Sequence, residues 1–416
     1  MEKTKFSAVF IHGMFGWGMK TPMFNTAMYY WPVKSLDLTN ANYHVVEVGV
    51  VSSDHDRACE AFYQLKGGRV DYGKDHSEQK GHARYGATYD NPMHPEWSEE
   101  NPVHLIGHSF GGTTAIELYQ LLCVDFFRVG SNHKWVKSII SIAAPLSGAT
   151  LSPMLGSTMD APTGFNTISY LLLCTSITLH KFQEQFPFLQ GLYETRMSQW
   201  SDSIKWPSLY NTDVKPYNSD DLVFTNAHPK HRLERNKHLV HMDKIHLFSI
   251  VTSMKPEVSF PIVDLLGICL MFAMWKMRKS KVWASVLAFA LVKRWQKKDW
   301  ASGSIFLGWL VSRHAKQSDA GLFRGFNKDH WEVTDGVVNS YSMICPRRSE
   351  SVSAGMQKIP SHVSIDMANE EPSEMAKGQW HVYRVDKNHL CGTQFDQDAA
   401  ELYLRLFRML NEISRD

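Results

Sequence analysis

The chain has 416 residues, 44% of them hydrophobic and 21% charged, with a formal net charge of +2. That length can bury a sizeable core as one domain with insertions, and the near-neutral balance excludes a globally basic nucleic-acid binder. Six cysteines, at 59, 123, 174, 269, 345 and 391, show no paired spacing, which excludes a disulfide scaffold and reads as reduced thiols.

Phe6 to Ile11 forms a continuous apolar run that predicts a core strand. It begins almost at Met1, with no signal-peptide pattern before it, so a cytoplasmic location is expected. The strand leads into His12-Gly13-Met14-Phe15-Gly16-Trp17-Gly18, whose glycines let backbone N–H groups approach a substrate oxygen. The Met14 N–H is a candidate donor to an oxyanion; the bland reading is a Gly-rich turn that closes a strand. A second strand is expected over Tyr43 to Val51, and a third around Val103, Leu105 and Ile106.

That third strand runs into Gly107-His108-Ser109-Phe110-Gly111, with helical sequence from Gly112 to Leu122. A Gly-x-Ser-x-Gly turn between strand and helix exposes the serine hydroxyl over a helix N-terminus, which makes Ser109 the candidate nucleophile and the Phe110 N–H a second oxyanion donor. Five positions with three fixed recur by chance, so the strand–helix context carries the reading. Lys137 to Ile142 and Lys244 to Val251 read as further strands, and Ala399 to Ile413 as a closing helix with Leu402, Leu406, Met409, Leu410 and Ile413 on one face.

A serine nucleophile of this type takes its partners in the order Ser, acid, His. Asp335 lies in the Gly-containing loop Trp331 to Val338, and His389 follows the strand-like stretch His381 to Val385. His389 is the candidate base and Asp335 the acid that fixes its tautomer. Asp386, three residues before His389, is a competing acid that reads better as a turn residue.

Several segments carry a family resemblance. Residues 52 to 73, SSDHDRACEAFYQLKGGRVDYG, together with Gly81-His82-Ala83-Arg84-Tyr85-Gly86, Ile142-Ala143-Ala144-Pro145-Leu146-Ser147-Gly148-Ala149-Thr150-Leu151 and Asp335 to Met343, resemble the zinc-containing bacterial lipases of the staphylococcal and Geobacillus type. The resemblance implies one α/β-hydrolase domain with a mostly parallel central sheet, a helical lid and a zinc-binding insertion, and the same Ser109, Asp335, His389 triad. It also implies carboxylester hydrolysis on long acyl chains. By the same resemblance residues 52–90 hold a structural zinc through Asp56, His76 and His82. The fourth ligand depends on register: an ungapped alignment offers Asn218, and a three-residue insertion offers Asp221 before Leu222 and restores Ala227, so Asp221 is preferred. A calcium site is expected near His389, but only Asp396 keeps a carboxylate position; Cys391 stands at the other, and a soft thiol suits a hard cation poorly, which leaves calcium open. Residues 160–205, with the apolar run Ile168 to Ile177, align with the family's lid; a cap that never moves is the alternative reading.

Residues 258–311 depart from that pattern. Val258 to Trp275 is mostly apolar, interrupted by Pro261 and Asp264, Val282 to Val292 and Ile305 to Val311 are further apolar runs, and eight Lys or Arg without an acidic residue lie from Lys276 to Lys298. Each basic residue gains roughly 1 kcal/mol near an anionic leaflet. Because Ser109 precedes the segment and Asp335 and His389 follow it, a bilayer would have to be crossed an even number of times. As a helix the second run reaches only about 16 Å of a ~30 Å hydrocarbon core. Helices lying in the interface, with Trp275, Trp283, Trp295, Trp300 and Trp309 at its level, are therefore expected over a cap packed wholly on protein. The expectation is a serine lipase acting on acylglycerols at a membrane or lipid-droplet surface, with no nucleic-acid partner. A phospholipase or acyltransferase with the same triad is the alternative within enzymology, and a silent lipid-binding scaffold the alternative outside it.

Overall fold

The computed structural model describes residues 3–18, 29–39, 42–159, 163–165, 167–191, 193–254, 301–317, 326–348, 360–365 and 375–415, with isolated positions between 266 and 287. Nearly all of the apolar-basic stretch, including Trp275, Trp283, Trp295, Trp300 and the cations from Lys276 to Lys298, lies outside the described residues.

Among the described residues nine strands follow in chain order: β1 (Ala8–Ile11), β2 (Tyr43–Val46), β3 (Gly68–Asp71), β4 (Tyr85–Tyr89), β5 (Val103–His108), β6 (Val136–Ile142), β7 (His246–Thr252), β8 (His362–Ser364) and β9 (Trp380–Val385). Seven form one sheet in the order β2-β1-β5-β6-β7-β9-β8, with every pairing parallel. This is the expected α/β-hydrolase architecture. Strands β1, β5 and β7 are buried along their whole length, as parallel strands covered on both faces must be; β1 is wholly apolar, and β5 and β7 interleave apolar residues with buried polar ones such as His104 and Ser249. Alternate residues feed opposite layers. Val9, Ile11 and Leu105 join Leu118 and Leu122 of the helix Phe110–Cys123 on one face. Phe10, Ile106 and Ile140 join Leu406, Phe407 and Leu410 of the helix Ala399–Glu412 on the other.

The second strand is shorter than expected. It ends at Val46 because the next residues turn toward the insertion: the Val48 N–H bonds His12, the Gly49 N–H bonds Glu60, and the Gly49 carbonyl accepts from the Arg57 guanidinium. The 52–90 insertion consists of the helix Asp54–Lys66, the antiparallel pair β3–β4 and the short helix Lys74–Lys80. The third apolar run of the 258–311 segment lies in the helix Ala301–Gln317, where Val311 is buried. A side chain on Gly308 would meet the Gly336 Cα at 3.2 Å, so this part packs against the loop that carries Asp335.

The carboxyl ends of four sheet strands converge on one edge. β1 opens into the His12–Gly18 loop, β5 into Ser109, β7 ends at Thr252 and β9 leads to His389. In open α/β sheets that edge is where ligands bind.

Candidate active site and metal group

Ser109 adopts φ 54°, ψ −129°, a left-handed conformation that places its side chain off the end of β5, immediately before the helix Phe110–Cys123. The flanking glycines are required by close approach: a Cβ on Gly107 would fall 2.2 Å from the Gly111 carbonyl oxygen, and one on Gly111 would fall 2.0 Å from that of Ile11. The turn brings Ser109 Oγ to 2.8 Å from His389 Nε2, and His389 Nδ1 to 2.8 Å from Asp335 Oδ2. Residues separated by 280 positions are thus joined in one hydrogen-bonded line. Asp386, the competing acid, is exposed.

Asp335 is fully buried and accepts every bond that a carboxylate there can use. Oδ2 takes the Thr252 hydroxyl at 2.6 Å besides His389, and Oδ1 takes the Val337 and Val338 N–H groups at 3.0 and 2.9 Å. Burial raises its pKa, but His389 and these donors outweigh burial and hold the group below the ordinary carboxylate value. The His389 backbone is fixed too, its N–H donating to the Asp335 carbonyl at 3.0 Å.

The loop after β1 lies directly against the serine, since a Cβ on Gly13 would come within 2.8 Å of the Ser109 Cβ. His12 orients it. Its Nε2 accepts the Val48 N–H at 3.1 Å, so the proton of the neutral ring sits on Nδ1 and donates to the Gly13 carbonyl at 2.8 Å. Burial first, then Arg57, depresses the His12 pKa well below normal and keeps it neutral. Because the peptide is trans, pinning the Gly13 carbonyl turns the Met14 N–H to the opposite side. The Phe110 N–H is the first of its helix and has no intrahelical acceptor. The Arg57 guanidinium, fully buried, donates to the His12 carbonyl, to the Gly49 carbonyl at 2.6 Å and to Thr114 Oγ1 at 3.1 Å, and lies 5.3 Å from the Phe110 ring centroid. Sequence reading assigned no role to Arg57, Thr252, Tyr30 or His108. Only His108 carried a signal, its place inside the elbow.

A second cluster forms where the insertion meets residues 217–223. One donor atom each of Asp56, His76, His82 and Asp221 lies within 4.8 Å of the other three. His76 Nε2 stands 3.2 Å from Asp56 Oδ1 and 3.3 Å from Asp221 Oδ2, and His82 Nε2 stands 3.2 Å from Asp221 Oδ2. The His82 Nδ1–H donates to the Ala83 carbonyl at 2.9 Å, which leaves the Nε2 lone pair facing the centre. His82 Nε2 and Asp56 Oδ1 are buried without a hydrogen-bond partner among the described residues. In the absence of a cation the carboxylates hold protons on the rings: burial works against charge, yet Asp221 and Asp56 push His76 up to about 10 and raise His82 as well. Two carboxylates and two imidazoles around orphaned buried atoms fit a divalent metal. Asn218 is exposed, its amide bonded to the Asp213 carbonyl, so Asp221 and not Asn218 lies in the cluster.

Near His389, the Lys387 ammonium engages the carboxylate expected to bind calcium. It lies 2.5 Å from Asp396 Oδ1 and 2.9 Å from Asp398 Oδ2, while the Gly392 N–H donates to Asp396 Oδ2. Cys391 is buried in the core beneath this loop.

The helix Ile168–Gln185 packs Leu173 and Ile177 into the cluster that contains Phe110, with Met14 and Phe15 against it. Its outer side is apolar as well: Leu171 is 63% exposed and Ile168 and Phe182 are exposed beside it, with Phe165, Phe188 and Tyr210 nearby. No helix among the described residues is long and apolar enough to cross a membrane.

Residues 4–159 match the family model described as lipase-like, C-terminal domain. Lipase 2 of Staphylococcus aureus is 34% identical over 179 residues, 37% of this chain, and the lipase of Staphylococcus hyicus is 36% identical over 179 residues, 38% of it. The match spans about a quarter of the length of these relatives, 25% and 27%. In three dimensions the whole chain superposes on the S. hyicus lipase structure at a TM-score of 0.65 and 20% identity, covering 99% of that chain. Lipase 1 from Pelosinus fermentans gives 0.61 at 22% identity, with 98% of this chain and 99% of that one covered. From residue 4 to 159 in sequence, and along its length in fold, the chain resembles the staphylococcal-type lipases.

Proposed function

We propose that the chain is a carboxylic ester hydrolase acting on lipid esters, with Ser109 as nucleophile, His389 as base and Asp335 as its orienting acid. The supporting observation is the unbroken line Ser109 Oγ, His389 Nε2, His389 Nδ1, Asp335 Oδ2, at 2.8 Å for both contacts. With Asp335 ionised, the His389 proton resides on Nδ1 and its Nε2 lone pair faces the serine hydroxyl. As Oγ attacks the ester carbonyl carbon, its proton passes to Nε2. The negative charge that develops on the carbonyl oxygen is met by the Met14 and Phe110 N–H groups. Collapse of the tetrahedral intermediate breaks the bond to the alcohol oxygen, which leaves with the Nε2 proton. Water then repeats the sequence on the acyl-enzyme and releases the acid.

A lipid substrate is favoured by the open groove of about 670 Å³ along the outer side of the helix Ile168–Gln185, lined by Tyr170, Leu171, Cys174, Leu179, Phe182 and Tyr210. Exposed apolar side chains on an element that packs over Phe110 give a lipid surface something to bind and connect it to the nucleophile. The four-residue cluster would hold zinc as a closed structural site, tying the insertion to residues 217–223, with no step of the chemistry passing through it.

Ser109→Ala tests the reading. Hydrolysis of p-nitrophenyl butyrate should fall by at least about a thousand-fold and labelling by a fluorophosphonate probe should vanish, with an unchanged circular dichroism spectrum. Retained labelling would show that another residue is the nucleophile.

A further inference from the structure

The loop after β1 and the loop that carries His389 are joined by two buried side chains, Tyr30 and His108. The Gly13 N–H donates to the Tyr30 hydroxyl at 3.0 Å; that oxygen lies 2.5 Å from His108 Nδ1, and His108 Nε2 lies 2.6 Å from the His389 carbonyl oxygen. The proton positions follow from chemistry. A carbonyl only accepts, so His108 Nε2 carries the hydrogen, and a neutral ring then has only a lone pair at Nδ1. Tyr30 must therefore donate to Nδ1 while accepting from Gly13. The ring is neutral because burial depresses its pKa to about 3, and burial likewise raises that of the Tyr30 phenol, which keeps its proton. Tyr30 and His108 are both buried, Tyr30 between the rings of Trp17 and Trp31, and the Tyr30 carbonyl also accepts the Gln394 N–H beyond the histidine loop.

We propose that Tyr30 and His108 are positioning residues: a one-directional hydrogen-bond relay, Gly13 N–H to Tyr30 O–H to His108 to the His389 carbonyl, that sets the distance between the oxyanion donors and the catalytic base. The inference rests on the serine-hydrolase reading above. Both ends act on backbone atoms of elements whose reactive groups must be placed together, and a displacement of about 1 Å at such a site costs on the order of a hundred-fold in rate. Every link is a buried polar group, so loss of one member strands its neighbours without a partner.

The test compares Tyr30→Phe, His108→Gln, His108→Leu and the double variant Tyr30→Phe/His108→Leu on p-nitrophenyl butyrate. Tyr30→Phe should lower kcat about ten- to a hundred-fold with KM nearly unchanged, since a soluble ester binds without these groups. His108→Gln keeps an acceptor for Tyr30 and a donor for the His389 carbonyl, and should retain several-fold more kcat than His108→Leu. The double variant should be no slower than the worse single one, because members of one chain are lost together. Wild-type kcat in a folded Tyr30→Phe, equal kcat in the Gln and Leu variants, or multiplicative losses in the double variant would each overturn the relay. If Tyr30→Phe does not fold, the His108 pair decides alone. Ser109→Ala keeps the two ideas separable: an active Ser109→Ala removes Ser109 as nucleophile and with it the triad on which the relay rests, whereas an active Tyr30→Phe beside an inactive Ser109→Ala removes only the relay.

Discussion

Replacing Asp335 by Asn changes one oxygen to an NH₂ group in a fully buried site, and the surrounding bonds dictate which way the amide must turn. Oδ1 accepts two backbone N–H groups, from Val337 and Val338, whereas Oδ2 faces Thr252 Oγ1 and His389 Nδ1. The backbone donors cannot turn, so the amide oxygen must stay with them and the NH₂ must face His389. His389 Nδ1 then has to accept, which moves the imidazole proton to Nε2 and removes the acceptor from Ser109 Oγ. The shape of the site survives and the base does not. The wrong tautomer costs about four orders of magnitude in kcat in triads of this kind, or roughly 5.5 kcal/mol of barrier. Steady-state hydrolysis of p-nitrophenyl butyrate near neutral pH reads the loss, and circular dichroism and melting temperature show whether the fold is kept. A folded Asp335→Asn within ten-fold of the parent, or a comparable loss in Asp386→Asn, would refute the assignment of the acid.

Three further outcomes are expected. The purified protein should carry about one zinc by elemental analysis; His82→Ala and Asp221→Ala should each lower the melting temperature markedly, Asn218→Ala should not, and equal effects of Asn218→Ala and Asp221→Ala would remove Asp221 from the group. His104 is buried between Ser138 and Ser414 with its pKa depressed from 6.5 to about 3, chiefly by burial, so the unfolded chain binds a proton that the folded chain refuses; stability is complete above pH 6.5 and falls as pH drops toward 3, by about 2 kcal/mol for this residue at pH 5. Urea titrations should show the pH slope reduced by about one proton in His104→Gln between pH 6 and 4, and an unchanged slope would contradict the linkage. Finally, Leu171→Ser/Phe182→Ser should weaken adsorption to emulsified triacylglycerol several-fold and leave the soluble ester unaffected; equal loss on both substrates would mean that this face serves the core and not an interface.

Much of the candidate site was legible in the chain because its parts depend on local sequence. An elbow needs glycines where the backbone of its own helix and of the neighbouring strand closes in, and those glycines surround Ser109. Parallel strands buried on both faces are mostly apolar, so the apolar residues of β1, β5 and β7 made these strands legible. Chain order together with loop context pointed to Ser109, Asp335 and His389, the three side chains that the fold joins in one hydrogen-bonded line. Other features depend on which loops the fold brings together, and no local pattern encodes that. Asp221 and Asn218 lie three residues apart in one loop, and only packing against the 52–90 insertion decides which carboxylate or amide meets His76 and His82. Asp396 read as a carboxylate kept for calcium, and only the turn after β9, which folds Lys387 onto it, shows that an ammonium engages it. Tyr30 carries no sequence signal, because its role comes from meeting Gly13 at one edge of its hydroxyl and His108 at the other. Local propensity and burial period are written residue by residue, whereas the partners of a buried polar group are chosen by the tertiary structure, where leaving any of them unpaired would cost more than the fold can spare.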